Sequence, residues 1–278
     1  MTSVLESEVA FSPEFLRRYV IPEATPERLL AMPWLMPHWV DAKGDMRFVT
    51  QSFLVESCAK RIIVDTCLGN DKERKNPAFH RLQTPFLERL AALGAEPEAV
   101  DIVLCTHLHF DHVGWNTRWV DGRWVPTFPH ARYLFSRREW DHWRAKPGHA
   151  HVVEDSLQPL FEAGQVDLVE VTEAGWPVTD EVSLVPTPGH SPGHVSVRIG
   201  SGGRTAIITG DALHHPCQIG HPEWTSPADS DAAQARATRE AMLERAEADG
   251  ALVIGSHFAE PAAGRVTGEQ GERRFIGE

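Results

Sequence analysis

Short apolar runs rich in β-branched residues recur along the chain, each ending at a polar or turn-forming residue. Four stand out: Asp101-Ile-Val-Leu-Cys105, Val182-Ser-Leu-Val-Pro186, Thr205-Ala-Ile-Ile-Thr209 and Ala251-Leu-Val-Ile254. Runs of this length and composition predict strands. Further strands are expected over 48–55, Arg61–Thr66, Ala131–Ser136, 166–171 and 195–199. Helical spacing appears where Phe86, Leu87, Leu90 and Leu93 share one face, with Thr84 as cap, Pro85 in the first turn and Gly94 as stop. Helices are also expected over Ser136–Trp143, with Ser136 as cap, over Val152–Ala163, and over the alanine-rich Ser230–Ala248, which Gly250 stops. Asp121-Gly122 predicts the turn of a hairpin within 116–129.

Residues 1–45 read as an irregular arm on a main domain covering 46–278. The arm holds short helices around Pro13–Val20 and Pro26–Met32, then Pro33-Trp-Leu-Met-Pro-His-Trp39. Trp34 and Trp39 would pack on the main body, wall a substrate pocket or make the contact of a homodimer. Strands come in groups interrupted by helices, with no linker, low-complexity tract or repeat. That order suits an α/β (α+β) domain with helices outside two packed sheets.

Apolar residues make up 42% of 278, enough for a sizeable core. A net charge of −12 without basic runs argues against nucleic-acid or anionic-membrane partners. The four cysteines form no CxxC pair, so neither a cysteine-only zinc site nor a disulfide scaffold is expected. Cys217 lies close in sequence to Asp211, but its expected role is packing. The N-terminal stretch lacks a basic start and an apolar signal core, and no run reaches transmembrane length, so the expectation is a cytoplasmic protein.

The candidate chemistry sits just past the four runs. Thr106-His-Leu-His-Phe-Asp-His112 supplies His107, His109, Asp111 and His112; His190, Asp211 and His257 follow the other three. Imidazole and carboxylate suit zinc and similar divalent ions. In an extended segment residues two apart face the same way, so His107 and His109 can grip one ion. The chain must then turn, freeing Asp111 and His112 to aim at a second. The prolines and glycines of Thr187-Pro-Gly-His-Ser-Pro-Gly-His194 hold His190 on a tight loop, with His194 expected to stand behind the donors or to be structural. Asp211 at a strand end could bridge two ions. Seven of the fifteen histidines, His38, His80, His130, His142, His149, His151 and His221, lack such context and read as ordinary surface or hydrogen-bonded residues. Three histidines and an aspartate in one seven-residue segment do not.

With these motifs the chain resembles the metallo-β-lactamase-fold hydrolases, over about residues 48–258. Asp65 in Val64-Asp-Thr66 matches that family's upstream strand-end aspartate. The resemblance implies an αββα sandwich of two mixed sheets flanked by helices, with two metal ions at its edge. His107, His109 and His190 would hold one ion and Asp111, His112 and His257 the other, with Asp211 bridging. Zinc is the first expectation, with cobalt, manganese or iron as alternatives. Asp65 would orient a ligand imidazole.

Within the superfamily the chain is most similar to the N-acyl homoserine lactonases and methyl parathion hydrolase-like proteins. Pro126-Thr-Phe-Pro-His-Ala-Arg-Tyr133 and Ser136-Arg-Arg-Glu-Trp140 add to that likeness. The lactonases often carry a tyrosine three residues past the bridging aspartate; here it is His214. The resemblance therefore implies a metal-dependent hydrolase of small ester or lactone substrates, with phosphotriester hydrolysis as the alternative. Asp111 would be the catalytic proton carrier, and Phe110, Trp115 and His214 candidate substrate contacts. A non-hydrolytic iron oxygenase or metal-stabilised binding protein is the reading from another class.

Overall fold

The apolar runs form the strands expected of them. A computed structural model describes residues 1–8, 11–268 and 271–278. The chain divides into two units, Met1–Ala10 with Thr50–Val171 and Phe11–Val49 with Thr172–Glu278.

In the first unit the strands are β1 (Thr2–Ser7), β2 (Thr50–Ser57), β3 (Lys60–Val64), β4 (Ile102–Leu104), β5 (Thr117–Val120), β6 (Arg123–Pro126), β7 (Arg132–Ser136) and β8 (Val166–Val169). Six make a sheet in the order β1-β2-β3-β4-β7-β8, and β5 and β6 form the expected hairpin apart from it. The sheet is mixed: β1, β2 and β3 pair antiparallel, while β3, β4, β7 and β8 run parallel. Ile63, Val103, Tyr133 and Phe135 share a core with Phe86 and Leu90 of the helix Phe86–Ala91. Val103 and Leu104 are fully buried, as a central parallel strand requires.

The second unit contains β9 (Trp176–Pro177), β10 (Val182–Pro186), β11 (Val195–Ser201), β12 (Arg204–Ile208), β13 (Leu252–Ile254), β14 (Ala263–Thr267) and β15 (Arg274–Gly277). They form one sheet ordered β15-β14-β13-β12-β11-β10-β9. Among the described residues only β12 and β13 pair in parallel here, and the connection between them includes the long helix Ala232–Asp249. Asp231 caps that helix by accepting from the Gln234 N–H at 3.0 Å, and Gly250 ends it at φ 57°. Trp39 is buried here, with its indole Nε1 donating to the Ala259 carbonyl at 3.0 Å and its ring edge-on to Phe275. Two mixed sheets with associated helices are the fold class the sequence implied. Among the described residues no helix is long and apolar enough to cross a membrane.

Several local expectations are corrected. Thr2–Ser7, expected to be irregular, is an edge strand paired with β2. Its Glu6 is buried and accepts from the backbone N–H groups of Leu68 and Gly69, from Trp115 Nε1 and from Thr84 Oγ1, at 2.7, 3.1, 2.6 and 3.1 Å. Thr84 is thereby drawn away from the helix Phe86–Ala91, whose N-cap position is taken by Pro85. Leu93 falls past the end of that helix and is exposed. Ser136 stands at the N-cap of the helix Arg137–Trp143 without a side-chain bond. The helix expected over 152–163 is interrupted by a wider π turn at Val153–Leu157, where the Asp155 carbonyl accepts from the buried Lys72 ammonium at 2.8 Å.

The loop carrying the histidine motif is zipped to the segment after β3. Thr66 N–H donates to His112 O, Gly114 N–H to Cys67 O and Trp115 N–H to Thr66 O, each at 2.7 Å. A Cβ on Gly114 would lie 1.9 Å from the Leu68 carbonyl oxygen, so the two backbones approach more closely than any side chain permits. In the second unit Gly189, at φ 137°, lies where a Cβ would come within 2.3 Å of Ala235 in the long helix.

Glu6→Ala strands four donors, two of them backbone amides. A loss of about 3 kcal/mol or more is expected, read as a fall of roughly 6–12 °C in Tm. A change under about 1 kcal/mol would mean that water replaces the carboxylate without cost. Gly114→Ala should lower Tm by a comparable amount, whereas Gly148→Ala, with nothing within 4 Å of the added Cβ, should leave it within about a degree.

Candidate metal centre

In the first unit β3 ends at Asp65, which adopts φ 57°. This buried carboxylate accepts from the Thr106 N–H (2.7 Å) through Oδ1 and from Thr106 Oγ1 (2.8 Å) through Oδ2. It thus seizes the first residue of the motif as that residue leaves β4. The same Oδ2 lies 2.9 Å from His112 Nδ1, so it also sets the rotation of that imidazole. His107 and His112 are buried with ring centroids 4.0 Å apart, and His107 Nε2 is 3.0 Å from His109 Nδ1. Asp111 Oδ2 is 4.0 Å from His112 Nε2. Nitrogen lone pairs crowded in this way need either a shared proton or a cation between them.

A carboxylate that sequence reasoning missed supports this half. Glu139 is almost fully buried, and its Oε1 accepts from the Leu108 backbone N–H (3.2 Å), inside the motif, and from Trp143 Nε1. The Trp143 ring stands edge-on to His109 at 4.8 Å. Its only sequence signal is membership of Ser136-Arg-Arg-Glu-Trp140. Phe110 packs against Phe79, with centroids 5.2 Å apart. Trp115, a candidate substrate contact, is instead a core residue: it stacks on Phe86 at 5.6 Å and its indole N–H is committed to Glu6. Burial, with nearby Glu6, Asp65 and Asp111, pushes the Cys67 thiol well above its usual range; burial, with Asp65, does the same to Cys105. Both therefore remain thiols rather than thiolate ligands.

In the second unit His190, Asp211, His214 and His257 come together. Asp211 Oδ2 is 3.4 Å from His190 Nε2 and 3.3 Å from His214 Nε2, while Oδ1 is 3.1 Å from His257 Nε2. Each oxygen of one buried carboxylate thus faces a different expected ligand imidazole. The Asp211 N–H donates to His194 Nε2 (3.0 Å), whose Nδ1 meets Thr187 Oγ1 (2.8 Å), the supporting place expected for His194. His257 Nδ1 is fixed by the Val49 carbonyl at 2.8 Å, and Phe48 stacks on the ring at 4.2 Å. Cys217 is buried, and burial pushes its thiol up.

Asp229 is the missed residue of this half. Its Oδ1 lies 3.0 Å from His190 Nδ1, and its Oδ2 accepts from the Ser226 N–H at 3.0 Å. Burial alone would raise its pKa, but the His190 hydrogen bond, the His214 and His190 charges and the Ser226 amide outweigh that and hold it below the usual carboxylate range. Burial pushes His214 the other way for an imidazole, downward, against the pull of Asp211. The donor chemistry fits divalent metal: imidazoles with Nδ1 tied to an oxygen, Nε2 turned to a carboxylate, and no thiolate among them.

The chain is 30% identical over 117 residues to the probable metallo-hydrolase YflN of Bacillus subtilis (strain 168), covering 40% of this chain and 44% of that protein. It is 30% identical over 140 residues to the N-acyl homoserine lactonase AttM of Agrobacterium fabrum (strain C58 / ATCC 33970), covering 46% and 47%. The matched segments thus span about half the length of these curated relatives or less. Among solved structures it is similar to a hydrolase of the beta lactamase superfamily, AbOPH, with TM-score 0.77, 23% identity and coverage of 99% and 93%. It is also similar to the dizinc quorum-quenching lactonase AidC, with TM-score 0.74, 20% identity and coverage of 100% and 91%. The Metallo-beta-lactamase superfamily profile matches residues 46–257, most of the chain, and the chain belongs to that superfamily.

Proposed function

We propose that this chain is a dinuclear metal-dependent hydrolase of small, weakly charged esters and lactones. The observation that carries the reading is the Asp211 carboxylate, with one oxygen toward His190 Nε2 at 3.4 Å and the other toward His257 Nε2 at 3.1 Å. A carboxylate with one oxygen toward each of two expected ligand imidazoles suits a bridge between two cations. In this reading His107, His109 and His190 hold one divalent ion, Asp111, His112 and His257 hold the other, and Asp211 serves both. Zinc is the metal first expected, by analogy with the dizinc lactonase AidC. When bound, such a pair supplies Lewis acidity toward a carbonyl or phosphoryl oxygen and lowers the pKa of water toward about 7.

The chain's own residues do the rest. Asp111 accepts the proton of the attacking water and returns it to the leaving oxygen. Asp65 fixes His112 through Nδ1 and Asp229 fixes His190, so that the donor nitrogens need no reorganisation. Phe110, packed on Phe79, and Trp143, beside His109, offer apolar surface to an acyl or aryl group. His214 occupies the position where many lactonases place a tyrosine. That departure from the lactonase pattern is what supports a second reading, phosphotriester hydrolysis.

Zinc-, cobalt- and manganese-loaded protein should hydrolyse lactones and aryl esters, lose that activity on chelation and regain it on metal return. Loaded protein that is inert toward lactones, esters and phosphotriesters alike would defeat the proposal; turnover of phosphotriesters alone would select the second reading. Asp111→Asn should keep its Tm while kcat falls about 10²–10⁴-fold. An unchanged rate would remove Asp111 from proton transfer.

A further inference from the structure

Behind His190 lies a chain of buried charge that ends on the long helix Ala232–Asp249. Arg239 is the largest fully buried side chain among the described residues. Its Nε donates to the Ala212 carbonyl at 2.9 Å, and its Nη1 donates to the carbonyls of Pro222 and Trp224 at 2.7 and 2.9 Å. Its Nη2 is buried and makes no hydrogen bond among the described residues; it lies 4.0 Å from Asp229 Oδ2. Asp229, whose side chain is likewise fully buried, bonds His190 Nδ1 through its other oxygen.

A guanidinium placed solely to staple carbonyls would not need to sit beside an anion. A buried carboxylate with one imidazole and one amide for company does need a compensating cation. Arg239 meets both needs. Through Ala212 it grips the residue that follows Asp211, and through Asp229 it reaches His190. One helical side chain therefore bears on two of the expected metal donors.

We propose that Arg239 is a positioning residue of the metal centre: it holds the Asp229 carboxylate in place, so that Asp229, bonded to Nδ1, keeps the His190 ring oriented with Nε2 as donor. The inference rests on the metal-centre reading above. It extends the site to a helix whose sequence, Ala232-Ala-Gln-Ala-Arg-Ala-Thr-Arg-Glu240, shows nothing of it. Residues that support metal ligands in this way typically change metal affinity 10–100-fold when replaced.

The test is zinc affinity, measured by competition with a chromophoric chelator, together with the visible spectrum of the cobalt-loaded protein. Wild type, Asp229→Asn, Arg239→Lys and the double variant are compared, with unfolding of the metal-free forms as the check on folding. Asp229→Asn should weaken zinc binding about 10–100-fold, and Arg239→Lys should weaken it about 10-fold, both with shifted cobalt bands. Because Arg239 reaches His190 only through Asp229, the loss in the double variant should fall well short of the two single losses multiplied. Arg239→Lys binding zinc as wild type does, or losses that multiply in full, would overturn the inference and leave the metal centre standing. If Arg239→Lys does not fold metal-free, wild-type affinity in Asp229→Asn overturns the inference by itself. Wild type that binds no zinc would remove both.

Discussion

Each of three buried imidazoles has its Nδ1 committed to a fixed oxygen: His112 to Asp65, His190 to Asp229 and His257 to the Val49 carbonyl. That commitment is the constraint on which the rest of the structure depends. It selects one tautomer, fixes the ring plane and leaves Nε2 as the atom presented to a ligand. A buried histidine without such a partner could rotate or take up a proton. Here the rotation is already spent in folding.

The fold exists largely to supply those oxygens at the right places. Asp65 is set by the end of a parallel strand and turned by a left-handed backbone conformation. It then captures Thr106 as the neighbouring strand ends, so two adjacent strand ends become one clamp. The close backbone approach at Gly114 completes the clamp. In the second unit the loop around Gly189 docks on the long helix, which brings His190 onto Asp229. Side chains that look catalytic therefore depend on glycines and backbone carbonyls that do not.

The sequence showed the donors and hid their supports. The Thr106–His112 motif is dense enough to be recognised directly, and the β-branched runs before His190, Asp211 and His257 became β10, β12 and β13. Asp229 lies just ahead of a helix, where an aspartate ordinarily signals a cap. Arg239 sits in a helix that reads only as alanine-rich. Glu6 belongs to a strand too short and too polar to stand out. Each acquires its role only by burial against distant partners, which no local periodicity encodes. The reverse error occurred at Trp115: nearness to the motif suggested a pocket wall, whereas stacking on Phe86 and the bond to Glu6 make it core. Thr84 departs from its expected capping role for a similar reason, since a buried carboxylate outcompetes the helix end for its hydroxyl.

The central proposal is that the two donor sets, His107, His109, Asp111 and His112 in one and His190, Asp211 and His257 in the other, share a pair of ions. Anomalous diffraction at the zinc edge from crystals of the zinc-loaded protein tests it most directly. The account predicts two peaks about 3.5–4 Å apart, each bonded to residues of both sets, with Asp211 touching both. A single peak, or peaks held by one set alone, would contradict it.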